Sequence, residues 1–204
     1  ACANVTENGK AFTGQPGAHT DEMVESMKKL AQTIQQNGAK AVVQIHHGGR
    51  ECPAELVPGG DVVSASETDS SDGSVHARAL TGEETAEIVK AFGEATRRVI
   101  EAGFDGVEIH GANGYLIQQF FSPYTNRRED EWGGSLEKRL AFPLAVVDAV
   151  KKAVAEYADR PFLVGYRLSP EEPYEPGITM DDTFALLDAL MEKELDYVHI
   201  SLQH

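Results

Sequence analysis

Sulfur is scarce in this chain: two cysteines, Cys2 and Cys52, stand far apart. They show no Cys-x-x-Cys spacing, so neither a zinc site nor a disulfide framework is indicated, and no metal ligands are assigned. Positive charge is also in deficit. Eighteen basic residues face 33 acidic ones, and the resulting net charge of −15 repels polyanions instead of releasing counterions from them. That balance argues against nucleic acid and against acidic membrane surfaces as partners. Long apolar runs are missing too. No stretch approaches the ~18 consecutive apolar residues of a spanning helix, and the amino end lacks a basic region followed by an apolar one. A soluble, cytoplasmic protein is expected. Finally, no Gly-x-Gly-x-x-Gly follows any apolar run, which weakens a dinucleotide-binding doubly wound sheet.

What is present is an ordinary globular composition: 41% hydrophobic and 25% charged over 204 residues, enough for one substantial core. Met23, Met27, Leu30 and Ile34 fall at helical spacing behind Thr20, and Asn37-Gly38 stops the pattern. "AVVQIHH" at 41–47 then reads as a buried strand. Thr81 and Glu84 stand in capping-box register ahead of a stripe of Ile88, Phe92, Ala95 and Val99 that ends at Gly103. "FDGVEIH" follows as a second strand. From Ser135 another stripe runs through Leu136, Leu140, Leu144, Val147 and Val154, and Pro143 within it predicts a kink or a split. "RPFLVGYRLS" at 160–169 is a third strand, Thr179 and Asp182 open a further helix, and "LDYVHIS" at 195–201 is a fourth strand.

Alternating helices and strands with short helix-to-strand links imply parallel strands and right-handed crossovers. The strand-to-helix links at 48–80, 111–134 and 169–179 are long by contrast. Loops beyond ~12–15 residues are usually functional, and in a (β/α) barrel the loops after the strands build the active-site face. A doubly wound sheet satisfies the same alternation. Only four strands are counted against the eight of a complete barrel, so residues 1–204 read as the middle half of one domain, four βα units, opening in a loop and cut at both ends. Such a piece exposes sheet edges and apolar surface, which pairing with a second copy, a homo-oligomer, would cover.

Polar side chains collect where the strands run out: Gln44, His46 and His47, then His110, then Arg167, then His199. Taken singly, His46 or His199 reads as a structural group satisfied by nearby backbone. Their recurrence at successive strand ends points to one shared mouth. In "HGANGY", His110 and Asn113 offer N–H donors that together polarise a carbonyl oxygen. Tyr115, a phenol with pKa near ~10, can donate a proton to a carbanionic carbon. This equipment suits an activated carbon–carbon double bond but supplies no hydride, so a cofactor must.

The run "GFDGVEIHGANGYLIQQFFSPYTNRREDEWGGSLEKRLAFPLAVVDAV" at 103–150 closely resembles the Old Yellow Enzyme family of FMN-dependent oxidoreductases. The resemblance extends back through "LTGEETAEIVKAFGEATRRVIEAG" to "QIHHGGR" at 44–50 and forward to "GYRLSP" at 165–170. It implies a TIM (β/α)8 barrel holding FMN at its mouth. Carried over, it implies that Gln44 meets the flavin's pyrimidine edge and Arg167 its N1/O2 side, that His110 and Asn113 grip a substrate carbonyl, and that Tyr115 is the proton donor. NADH or NADPH would reduce FMN, and an α,β-unsaturated carbonyl compound, an enone, would receive the hydride. Asn126, Arg128, Asp130 and the Gly133–Ser135 turn also match, as a pinned loop and a helix start. Trp132 stands where that family usually has tyrosine. Two other readings are weighed: a non-catalytic scaffold of the same fold that cannot hold flavin, and a metal-dependent lyase or hydrolase barrel using His110 with His46 or His47. Adjacent strand residues face opposite sides, so at most one of that histidine pair can join His110.

Overall fold

Alternation along a strand sends successive side chains to opposite faces, and in this chain the two faces sort by polarity. The computed structural model describes residues 2–202. Strand β1 (Cys2–Asn4) leads through helix α1 (Val24–Gln35) to β2 (Val42–His46). A small sheet of β3 (Val63–Ser64), β4 (Thr68–Asp69) and β5 (His76–Ala79) fills the next connection. Then come α2 (Gly82–Glu101), β6 (Gly106–Gly111), α3 (Leu116–Phe121), α4 (Leu136–Arg139), α5 (Ala141–Tyr157), β7 (Leu163–Leu168), α6 (Met180–Met191) and β8 (Tyr197–Ile200).

The main sheet is parallel and runs β1-β2-β6-β7-β8. Each strand lies beside its predecessor in the sheet. A doubly wound sheet reverses its order at a switch point; this one advances in a single direction, as the wall of a (β/α) barrel does. The four strands expected from the sequence are therefore joined by a fifth. β1 is only three residues long, too short for a period-2 pattern, yet Cys2, Ala3 and Asn4 pair with Gln44, Ile45 and His46. The chain does not open in a loop.

Outward positions Val43, Ile45, Val107, Ile109, Val164, Tyr166 and Leu168 are buried in one cluster with Phe92 and Val99 of α2 and Phe142, Val146 and Val150 of α5. Burying side chains of this size contributes roughly 1.5–3 kcal/mol each. The alternate positions carry polar groups instead. Cys2, Gln44, Glu108, Gly165 and Tyr197 lie level across the sheet. One step toward the carboxyl ends, His110, Arg167 and His199 are level. On β8 the outward residues Val198 and Ile200 are exposed.

The caps read from the sequence form. Thr81 and Glu84 make a reciprocal capping box, as do Thr179 and Asp182. The stripe containing Pro143 divides into α4 and α5 at Leu140. Pro143 then sits in the first turn of α5, where a missing N–H breaks no intrahelical bond. Two of the long connections carry structure of their own: the small sheet lies within 48–80, and α3, buried along its whole length, lies within 111–134. No helix among the described residues is long and apolar enough to cross a membrane.

Candidate active site

The end of β6 reverses within a few residues. Asn113 has φ 59° and Gly114 φ 75°, consecutive left-handed positions that asparagine and glycine adopt most readily. The Asn113 N–H donates to Ser169 Oγ at 3.0 Å and its Oδ1 accepts from Ser201 Oγ at 2.7 Å, so residues after β7 and β8 hold the turn. The chain then enters α3 with Tyr115 as its N-cap, and the Leu116 N–H is tied to His47 O at 3.0 Å. These bonds aim the Tyr115 ring back over β2 and β6.

Three rings meet there. His110 and Tyr115 stand edge to face with centroids 5.0 Å apart, His46 and Tyr115 at 4.8 Å, and His46 and His110 at 5.7 Å. Burial first, then the charges of His46, Arg167 and His199, push the His110 pKa down to about 3. The imidazole is neutral at physiological pH. Its Nδ1 accepts from the Ala112 N–H at 3.3 Å, which places the proton on Nε2. Burial, reinforced by Cys2, Glu51 and Cys52, raises the Tyr115 pKa above its ordinary value, so the phenol keeps its proton.

Arg167 lies level with His110 on the neighbouring strand. Its Nη2 donates to Ser201 Oγ at 2.9 Å, and Ser201 in turn bonds Asn113. Its Nε is buried with no hydrogen-bond partner among the described residues. A buried guanidinium N–H without an acceptor is costly, and an anionic or carbonyl-bearing group at the mouth would satisfy it. The residues present fit the polar edge of a flavin on that observation. Gln44 lies one layer deeper, where its Nε2 donates to Glu108 Oε1 at 2.6 Å. The expected residues thus separate into an upper group of His110, Asn113, Tyr115 and Arg167, and a lower one containing Gln44. A cavity of about 460 Å³ opens at Asn113 and Tyr115 of the upper group, lined by them and Gly114 together with Arg50, Glu172 and Tyr174; His110 and Arg167 lie outside its lining.

The other matched residues make contacts within the protein, and Arg50 also lines the cavity. His47 is wholly buried, accepts the Gly49 N–H through Nδ1 at 3.0 Å, and has its pKa driven to about 3 by burial and then by His46. Arg50 pairs with Glu51 at 2.9 Å and lies 5.9 Å from the ring centres of both Tyr124 and Tyr174, which stack on each other. Arg128 pairs with Asp130 and donates to the carbonyls of Ala65 and Leu80, while Asn126 binds Trp132 O and Phe120 O. Ser135 caps α4. Trp132 packs edge-on against Phe142 at 6.1 Å, and its indole N–H is buried without a partner among the described residues. Among the described residues no group of three or more His, Cys, Asp or Glu side chains is placed to hold a metal ion.

Four residues of the site escape the sequence reading. Ser169 and Ser201 pass as the last residues of expected strands and Gln15 as an ordinary loop residue, although Ser169 and Ser201 set Asn113 and the Gln15 amide bonds His46 Nε2. Glu108 carried a signal: a lone carboxylate inside the apolar run "GVEIH", placed as Gln44 is in "AVVQIH".

The model of the NADH:flavin oxidoreductase / NADH oxidase family matches residues 1–204. The probable NADH-dependent flavin oxidoreductase YqiG of Bacillus subtilis (strain 168) is 70% identical over 202 residues, 99% of this chain and 54% of that protein. NADH:fumarate oxidoreductase of Klebsiella pneumoniae (strain 342) is 48% identical over 98% of this chain but 22% of its own length. Among solved structures, the old yellow enzyme homologue from Zymomonas mobilis superposes with a TM-score of 0.86 at 26% identity, covering 98% of this chain and 58% of that one. The chain spans about half the length of the first of these relatives. With a one-way parallel wall, a polar mouth and this match along its whole length, the chain belongs to the NADH:flavin oxidoreductase / NADH oxidase family, the family of Old Yellow Enzyme.

Proposed function

We propose that residues 1–204 form part of a single FMN-binding (β/α)8 barrel, in a cytoplasmic oxidoreductase that reduces the C=C bond of α,β-unsaturated carbonyl compounds with NADH or NADPH as reductant. The observation that carries this reading is His110, its Nε2–H set by the Ala112 bond, packed edge to face on Tyr115, which lines the cavity with Asn113. Bound FMN would supply the hydride chemistry that no side chain can perform.

The chain's own residues have separable tasks. His110 Nε2–H and the Asn113 side-chain amide donate to a substrate carbonyl oxygen, withdrawing electrons from the β-carbon and stabilising enolate charge. Asn113 is set for this because its Oδ1 is already held by Ser201, which directs its Nδ2 donors elsewhere. Tyr115 Oη–H gives its proton to the α-carbon; the raised pKa keeps that proton in place until a carbanionic carbon takes it. Arg167 and Gln44 hold the pyrimidine edge of the flavin, Arg167 with a fixed positive charge. Both curated relatives reported above are named for NADH, which makes NADH the first reductant to try.

The test is Tyr115→Phe. Loss of a positioned general acid costs roughly 10²–10⁴ in rate, so enone turnover should fall by that order while reduction of bound FMN by NADH continues. Equal enone turnover in the variant removes Tyr115 from its role.

A further inference from the structure

We propose that Glu108 is a positioning residue that decides which end of the Gln44 amide a bound flavin meets; this rests on the flavin reading of Gln44 given above. Glu108 is buried in mid-strand on β6, between Val107 and Ile109. Its Oε1 accepts from Gln44 Nε2 at 2.6 Å and its Oε2 lies 2.9 Å from His199 Nδ1. One carboxylate therefore links β2 to β8 across the intervening β7. Between them β7 places Gly165, which carries no side chain, level with Glu108. A Cβ at Gly165 would run into the Tyr197 ring, which occupies that space.

In this contact the Gln44 amide nitrogen is the donor and the Glu108 carboxyl oxygen the acceptor. The Gln44 amide must therefore turn its NH₂ toward Glu108, and its planar geometry sends Oε1 along the other branch. A cavity of about 360 Å³, lined by Cys2, Val42, Gln44, Glu108 and Tyr197, opens beside the pair. What Gln44 offers to a ligand is an acceptor. The pyrimidine edge of a flavin presents carbonyl, N3–H, carbonyl in sequence, and an acceptor selects the N3–H. Without the carboxylate, either end of the amide could face the ligand, and the choice would be lost. Glu108 touches no reacting atom; its work is done through Gln44.

The experiment measures binding of FMN and of 3-methyl-FMN, which lacks the N3–H, to the apoprotein of the full-length protein carrying this chain. The native protein should prefer FMN by about tenfold, the scale of one hydrogen bond. In Glu108→Gln, nearly isosteric but able to face either amide end, that ratio should fall toward one. An unchanged ratio in a folded Glu108→Gln variant overturns the proposal. Gln44→Ala separates the two ideas. If it abolishes the preference while Glu108→Gln keeps it, the Glu108 role alone fails; if it leaves the preference intact, the flavin reading of Gln44 fails first. Should Glu108→Gln not fold by circular dichroism, the native protein labelled with ¹⁵N in glutamine decides. The Gln44 NH₂ resonance should keep its shift as FMN is added, because its partner is Glu108 before and after, whereas a shift reporting donation to a flavin carbonyl contradicts the assignment.

Discussion

His110 and Tyr115 meet edge to face, their ring centroids 5.0 Å apart and their planes at 87°. The contact joins a residue at the end of β6 to the N-cap of α3, so strand and loop are locked at the atoms proposed to act. His46 closes the third side of this cluster. The phenol is set between two neutral imidazoles, an environment that leaves it an acid and not a phenolate.

A pH dependence follows from that burial. His46 has its pKa lowered to about 4 by burial, and His47 and His110 to about 3. Each titrates near 6.5 when unfolded, so below that pH the unfolded chain binds protons that the folded chain does not. Stability should be independent of these groups above about pH 6.5 and fall as pH drops through 5 toward 4, by up to about 1.4 kcal/mol per pH unit for each histidine. Urea unfolding at pH 7, 6 and 5 measures the slope. A flat profile means that the rings titrate in the folded protein as they do in the unfolded chain.

Arg167 carries a second prediction. Its buried Nε, without a partner among the described residues, and its bond to Ser201 suit a residue that neutralises negative charge on a reduced flavin. Arg167→Ala should make the flavin harder to reduce by roughly 30 mV or more, equivalent to a tenfold change for a two-electron couple. Spectroelectrochemical titration reads the potential. No displacement in an FMN-loaded variant would put the charge elsewhere.

Arg128 should matter to stability and not to chemistry. It ties the loop after α3 to the carbonyls of Ala65 and Leu80 while paired with Asp130. Arg128→Ala takes a donor from two carbonyls, while Asp130 keeps the Trp132 N–H and contact with water, a loss of about 1–3 kcal/mol. A lower urea midpoint with normal enone turnover in the folded fraction is expected; a selective loss of turnover would give Arg128 a place at the site.

Periodicity and caps carried the sequence reading a long way. Thr81, Thr179 and the apolar stripes locate helices because their information is local. His110, Asn113 and Tyr115 could be grouped because six residues of one turn contain them. β1 was lost for want of length, and α3 because "LIQQFF" is buried on every side and shows no polar face to set its period. The depth of Gln44 was hidden for a different reason. Its layer is defined by Glu108, 64 residues away, and by Tyr197 on β8, so only strand register shows that it sits below Arg167. The bridge from Arg167 through Ser201 to Asn113 likewise depends on the third dimension.

The visible absorption spectrum of the purified full-length protein, with a denatured aliquot assayed for released FMN, addresses the flavin site itself. A yellow protein carrying close to one FMN per chain, bleached by NADH and recoloured by an enone, is the expected result. A well-folded but colourless protein that takes up no FMN when it is added would contradict the flavin site built here from Gln44, Glu108, His110 and Arg167.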